Sequence, residues 1–205
     1  MVKVKICGIK SKNTLEFLKN FSVDYVGFIM YPKSPRFAGD ELKELLMTEI
    51  AAKKVVVFVN PDYQEVKKAL DQGANLVQLH GKESLEFAKK VGLSRVIKAF
   101  RVENELPDEI KAWKEAYAIL LDTYVKGTPG GTGQTFNWEI AKPLIKDGFK
   151  VFLAGGLNPE NAPQAAALKP YALDINSGME KAPGEKDPEK IKSLFKNLKG
   201  WNPSL

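Results

Sequence analysis

The chain has 205 residues, 44% hydrophobic and 27% charged, enough for one substantial core in a water-exposed globular protein. It carries 31 basic and 25 acidic side chains for a net charge of +6, with a single histidine and a single cysteine. That inventory excludes an intrachain disulfide, offers a poor set of metal donors, and contains no apolar run near the ~20 residues that a bilayer span needs.

The first element is an alternating run at 2–7 that ends in Cys7. Its MVKVK start lacks the apolar centre of a secretion signal, so a cytoplasmic protein with no membrane partner is expected. Further strand-like runs follow at 25–30, 54–59, 76–79, 96–100, 118–121, 151–154 and 172–175, which makes eight. Helix-like segments alternate with them at 13–20, 40–50, 62–72, 83–91, 105–114, 137–146, 158–168 and 187–198. Three carry start signals: Pro61-Asp62, Asn158-Pro159-Glu160 and Asp187-Pro188-Glu189. The last has an apolar stripe of Ile191, Leu194, Phe195 and Leu198. Lysines sit among acidic residues on these helices, as in Lys186-Asp187-Pro188-Glu189-Lys190, so a nucleic-acid face is not expected.

Strict βα alternation implies a parallel sheet, and a count of eight favours a (β/α)8 TIM barrel over an open doubly wound sheet. No G-x-G-x-x-G follows the first strand, which argues against a dinucleotide site. A single barrel domain over 1–200 with a short tail at 201–205 is expected.

In such a barrel the active site lies at the C-terminal ends of the strands. There the sequence places Cys7 after the first strand, Arg36 beyond the second, His80 after the fourth, Asp122 after the sixth and Asp174 in the eighth. The only cysteine and the only histidine are both at strand exits. Glycine-bearing turns follow the last three strands: Gly130-Gly131-Thr132-Gly133, Gly155-Gly156 and Asn176-Ser177-Gly178. Their backbone N–H groups can approach an anion closely, and three such turns at one end predict a phosphate site.

KICGI, VGFIMYPKSPR, VVVFVN, VQLHG, LLDT with PGGTGQTFNW, AGGLNPEN and LDINSGMEKAPGEKD occur in this order over nearly the whole chain. Together they resemble phosphoribosylanthranilate isomerase, a ribulose-phosphate-binding barrel of tryptophan biosynthesis. The resemblance implies a cofactor-free Amadori rearrangement of N-(5-phosphoribosyl)anthranilate. It implies Cys7 as general base and Asp122 as general acid, Arg36 as the partner of the anthranilate carboxylate, and His80 and Asp174 as substrate-binding residues. It implies phosphate contacts from Gly131, Thr132, Gly133, Gly155, Gly156, Ser177 and Gly178. A small phosphorylated substrate follows from the same resemblance, while monomer and homodimer stay open. Two positions depart from the family pattern: Gln134 stands where lysine is common, and Asn176 where the first serine of DxSSG is usual.

A thiol that acts as a base must ionise, and strand parity puts Lys5 on the same face as Cys7. Lys5 is therefore expected to favour the thiolate. A carboxylic acid is ordinarily ionised at neutral pH, so the acid's role requires desolvation by bound substrate. Gly8 is expected to let the chain turn away beside the substrate. The alternatives are a histidine-pathway isomerase, which ordinarily has aspartate in place of the first-strand cysteine, and a non-catalytic phosphate-binding barrel.

Overall fold

The computed structural model describes residues 2–103, 105–123 and 137–200. Eight strands close into a parallel barrel in sequence order: β1 Lys3–Ile6, β2 Tyr25–Ile29, β3 Lys53–Phe58, β4 Leu76–Leu79, β5 Val96–Val102, β6 Ala118–Thr123, β7 Val151–Ala154 and β8 Ala172–Ile175. Closure comes from β1 pairing with β8, with Lys5 opposite Asp174. Around them run α1 Lys12–Leu18, α2 Leu42–Met47, α3 Tyr63–Asp71, α4 Leu85–Val91, α5 Lys142–Lys146, α6 Ala162–Ala167 and α7 Pro188–Gly200. The predicted tail, and the glycine-rich segment with Gly131, Thr132, Gly133 and Gln134, lie outside the described residues.

Both faces of each strand are covered, which is why the strands read as short apolar runs. One set of side chains, including Val4, Ile6, Phe28, Val56, Leu79, Leu121 and Leu153, packs outward under the helices. The alternate set fills the barrel: Val55, Leu76, Ile97, Ala99, Ala118, Leu120, Phe152, Ala154 and Ala172, above Tyr25. The inner floor is polar as well as aromatic. Tyr25 and Tyr117 share a hydrogen bond of 2.8 Å between their hydroxyls, and Lys3 Nζ donates to Tyr171 at 3.2 Å.

Local signals set several boundaries. Asp62 and Glu65 form a capping box at the start of α3, where Pro61-Asp62 predicts a helix. Ile191, Leu194, Phe195 and Leu198 of α7 are buried as its apolar stripe predicts.

Elsewhere the chain departs from expectation. The predicted helix at 105–114 is a 3-10 helix, Asp108–Trp113, whose buried residues Ile110 and Trp113 stand three apart, the repeat of that helix. The α-helix predicted to open at Asn158 begins at Ala162 instead. Asn158 Oδ1 accepts from the backbone N–H groups of Glu160 and Asn161, folding 158–161 into a turn. After β8 and a 3-10 turn, Ser177–Met179, a small hairpin appears that no sequence signal suggested: β9 Glu180–Ala182 and β10 Glu185–Lys186. Among the described residues no helix is long and apolar enough to cross a membrane, and no cluster of three or more metal-type ligands occurs.

Candidate active site

Strand parity carries chemistry into the barrel mouth. Counting in twos from the interior residues Leu76, Leu120 and Ala172 reaches Gln78 on β4 and His80 just past its end, Asp122 on β6 and Asp174 on β8. The same parity holds Lys5 on β1 and Cys7 just past its end, because Lys5 reaches Asp174 and the backbone N–H of Cys7 bonds the Ile175 carbonyl.

Cys7 is 4% exposed and is a free thiol. It leans against β2: a Cβ at Gly27 would stand 2.7 Å from Cys7 Sγ, so only glycine leaves room for the sulfur there. Gly8 turns with φ +75°, and a Cβ on it would come within 2.6 Å of Asn176 Oδ1 and 2.9 Å of Arg36 Cδ. The glycine after the cysteine thus admits the β2 and β8 loops to the thiol, as well as turning the chain.

Lys5 pulls the thiol toward ionisation, as its position suggests, but does not outweigh burial. It is fully buried and its Nζ lies 2.7 Å from Asp174 Oδ2. Burial works against its ammonium, but Asp174 and Cys7 outweigh that and hold it above its ordinary value. Burial also dominates at Cys7 and pushes the thiol up; Lys5 pulls it down, and Asp174 pushes it up again. Asp174 cancels part of the pull of Lys5 on the sulfur, so desolvation wins and the thiol is the favoured form in the unliganded protein. Asp174 Oδ1 is buried and has no hydrogen-bond partner among the described residues. That leaves one acceptor available inside the mouth.

His80 and Asp122 are brought together, with Nε2 and Oδ2 3.5 Å apart. The buried Gln78 amide donates to His80 Nδ1 at 2.9 Å, which leaves the proton of the neutral ring on Nε2, facing Asp122. Behind them Lys98 Nζ bonds the Gly81 carbonyl at 2.7 Å and Glu83 Oε2 at 2.8 Å, and Glu83 accepts from the Gly81 and Asn60 backbone N–H groups. This buried pair fixes the turn that presents His80.

Arg36 is engaged already. Its Nε and Nη2 donate to Glu180 Oε1 and Oε2 at 2.8 and 2.7 Å. Those hydrogen bonds hold the guanidinium above its ordinary value. Nη1 takes no part in the pairing.

The β7 and β8 turns touch. A Cβ at Gly178 would lie 2.0 Å from the Leu157 carbonyl oxygen, so the two turns pack backbone to backbone. Gly155 and Gly156 have φ of +92° and +63°, and Asn161 Nδ2 donates to the Gly156 carbonyl at 3.0 Å, tying that peptide back to the helix side. Ser177 opens the 3-10 turn beside them. Asn176 faces the other way: its Oδ1 accepts from Lys186 Nζ at 3.0 Å.

The family model for N-(5'phosphoribosyl)anthranilate (PRA) isomerase matches residues 4–197. The chain belongs to the phosphoribosylanthranilate isomerase family. It is 50% identical over 203 residues to N-(5'-phosphoribosyl)anthranilate isomerase of Aquifex aeolicus, covering 97% of this chain and 99% of that one. It is 41% identical to the Thermotoga maritima protein of the same name, over 98% of this chain and all of that one. The crystal structure of the isomerase from Thermotoga maritima superposes with a TM-score of 0.86 at 39% identity, over 98% of this chain and 100% of that one. A phosphoribosylanthranilate isomerase in complex with reduced 1-(o-carboxyphenylamino)-1-deoxyribulose 5-phosphate gives 0.83 at 36%, again over 98% and 100%. The isomerase class and the closed parallel barrel expected from the sequence therefore hold.

Sequence reasoning missed Gly27, Gln78, Glu180, Lys186 and the Lys98–Glu83 pair. A glycine inside the apolar run YVGFI was the one available signal, since it marks a close approach to a strand. The charged residues read as ordinary surface.

Proposed function

We propose that this isomerase carries out the Amadori rearrangement of N-(5-phosphoribosyl)anthranilate with Cys7 as general base and Asp122 as general acid. Asp122 gives a proton to the furanose ring oxygen, and the C1–O bond breaks to leave a Schiff base. Cys7 acts in its thiolate form, the minor form in the unliganded protein, and takes the proton from C2; the resulting enamine tautomerises to the 2-ketone, 1-(2-carboxyphenylamino)-1-deoxyribulose 5-phosphate. One proton enters from the acid and one leaves to the base, so no redox partner is required.

The observation that carries this reading is the facing of Cys7 and Asp122 into one mouth, each at the C-terminal end of its strand. His80 beside Asp122 supports an acid held in a fixed orientation. Arg36 takes the anthranilate carboxylate through donors that Glu180 leaves over. Asp174 Oδ1 and His80 take sugar hydroxyls. Gly155, Gly156, Ser177 and Gly178 hold the phosphate by backbone N–H groups, joined by Gly131, Thr132 and Gly133 on the strength of the sequence motif. Residues 1–200 act as one catalytic barrel domain.

The test follows fluorescence decay on addition of freshly prepared substrate. Cys7→Ser and Asp122→Asn are each expected to lose about 10²–10⁴-fold in kcat with the fold intact. Near-normal turnover in either variant overturns the assignment of that residue.

A further inference from the structure

Arg36 presents a physical problem. Its guanidinium makes a bidentate pair with Glu180, a geometry that leaves little net charge to attract another carboxylate. A substrate carboxylate approaching the remaining donors of Arg36 also approaches the Glu180 oxygens.

Lys186 resolves this. Its side chain is 2% exposed and its Nζ lies 2.9 Å from Glu180 Oε1, the oxygen that also accepts from Arg36 Nε. Nζ donates as well to the Asn176 carbonyl and to Asn176 Oδ1, both at 3.0 Å. An ammonium has three N–H donors, so all are occupied inside the protein. Lys186 is therefore poorly placed to be a ligand of the substrate. Its charge acts through Glu180: one guanidinium, one ammonium and one carboxylate leave a net charge of +1 at the end of the triad that Arg36 exposes.

Glu180 is held in its charged form by its two cationic neighbours. Burial pushes the Glu180 carboxyl up, but hydrogen bonds from Arg36 and Lys186 outweigh it and hold the group below its ordinary value. Burial holds the Lys186 ammonium below its ordinary value, and the hydrogen bond and charge of Glu180 offset only part of that. Arg36 is 20% exposed by its side chain and Glu180 5%, so the guanidinium is the member that faces the mouth.

We propose that Glu180 and Lys186, on the hairpin after β8, determine carboxylate recognition: Glu180 orients Arg36, and Lys186 cancels the charge of Glu180. Both are positioning residues, since they act through Arg36. The proposal rests on the reading that Arg36 receives the substrate carboxylate.

Binding is measured by calorimetry for two ligands, the reduced product analogue and its counterpart lacking the ring carboxyl. The wild type is expected to prefer the carboxylated ligand. Lys186→Met reduces the triad to zero net charge and is expected to weaken that ligand on the order of tenfold, leaving the other nearly unchanged. Lys186→Met combined with Glu180→Gln returns the net charge to +1 and is expected to restore the preference. The double variant strands no buried charge, so it provides the test even where Lys186→Met does not fold.

If the wild type binds the two ligands equally, the assignment of Arg36 to the carboxylate fails, and this proposal with it. If the wild type discriminates but Lys186→Met weakens both ligands alike, or the double variant fails to restore discrimination, Lys186 is a hairpin anchor only. The proposal then fails while the reading of Arg36 stands.

Discussion

Replacing Asp174 by asparagine is expected to lower the pH at which the Cys7 thiol ionises, and replacing Lys5 by methionine to raise it. Lys5 and Cys7 are two residues apart on one face, roughly 6.6 Å along the backbone, and Lys5 acts on the thiol through its charge and a side-chain hydrogen bond. At an effective dielectric constant of about 20, unit charges even as far apart as the backbone spacing interact by ~2.5 kcal/mol, or about two pKa units. In the native protein Asp174, 2.7 Å from the ammonium, offsets part of that attraction. Asparagine keeps the shape and removes the offset, so the thiolate becomes the counter-charge of Lys5. Methionine at position 5 leaves Asp174 as the nearest charge, and it repels a thiolate. Each variant is expected to move the thiol by about one to two units, in opposite directions. The chain has one cysteine, so a ¹³Cβ-cysteine label gives a single resonance whose shift follows the titration without deconvolution. In the wild type, burial holds the thiol above its ordinary value. The fold therefore binds the thiol proton more tightly than the unfolded chain does. That contribution to stability is whole below the unfolded thiol value and is lost as pH rises through the folded one. A thiol that titrates alike in both variants, or at higher pH in Asp174→Asn, refutes the account of Lys5 and Asp174 as opposed influences on Cys7.

The same pair has a stability consequence. Lys5→Met strands a buried carboxylate and is expected to cost about 3–5 kcal/mol, roughly 6–20 °C in Tm, whereas Lys5→Met with Asp174→Leu melts close to the wild type; thermal unfolding of both checks this. At the barrel floor, burial opposes ionisation of Tyr171, but hydrogen bonds from Tyr25, Tyr117 and Lys3 bring its phenol to about 8. Phenolate absorbance at 295 nm should show one early-titrating tyrosine that Tyr171→Phe removes. Its stabilising effect is present at pH above the ordinary tyrosine value and is lost as pH falls through about 8. Gly27→Ala puts a methyl 2.7 Å from Cys7 Sγ and should cut turnover by about 10²-fold while the barrel still folds, as measured by kcat alongside circular dichroism.

The eight strands were legible because a barrel strand is buried on both faces and leaves a compact apolar run in the sequence. The rim residues were legible because Cys7, His80 and Asp122 interrupt those runs at the same end. The 3-10 helix at Asp108–Trp113 was not, since its two anchoring residues also suit an α-helical stripe. The hairpin of Glu180 and Lys186 was not, since GMEKAPGEKD has the composition of a solvated loop. Nothing local distinguishes Lys186, 2% exposed, from Lys181, 55% exposed, because their burial is decided by what Arg36 brings from 144 residues away.

Lys5 shows which kind of information was missing. VKVKI reads as a strand with one apolar face and one wet face, and lysines on a wet face need no partner. Inside a closed barrel there is no wet face except at the two ends. Lys3, at the floor, finds the Tyr171 hydroxyl and remains partly exposed; Lys5, one pleat higher, is sealed in and requires an anion. That anion must lie at the same height on a neighbouring strand. The β2 residue in register with Lys5 is Tyr25, so β8, with Asp174 opposite Lys5, is the strand that supplies it. β8 neighbours β1 only because the barrel closes, and the two residues are 169 positions apart. Once eight parallel strands and closure are granted, the alternation of the first five residues already demands an acidic residue facing inward on the last strand. The identity of Asp174 as the partner of Lys5 was thus encoded in topology, whereas the pull of Lys5 on Cys7 could be read along one strand.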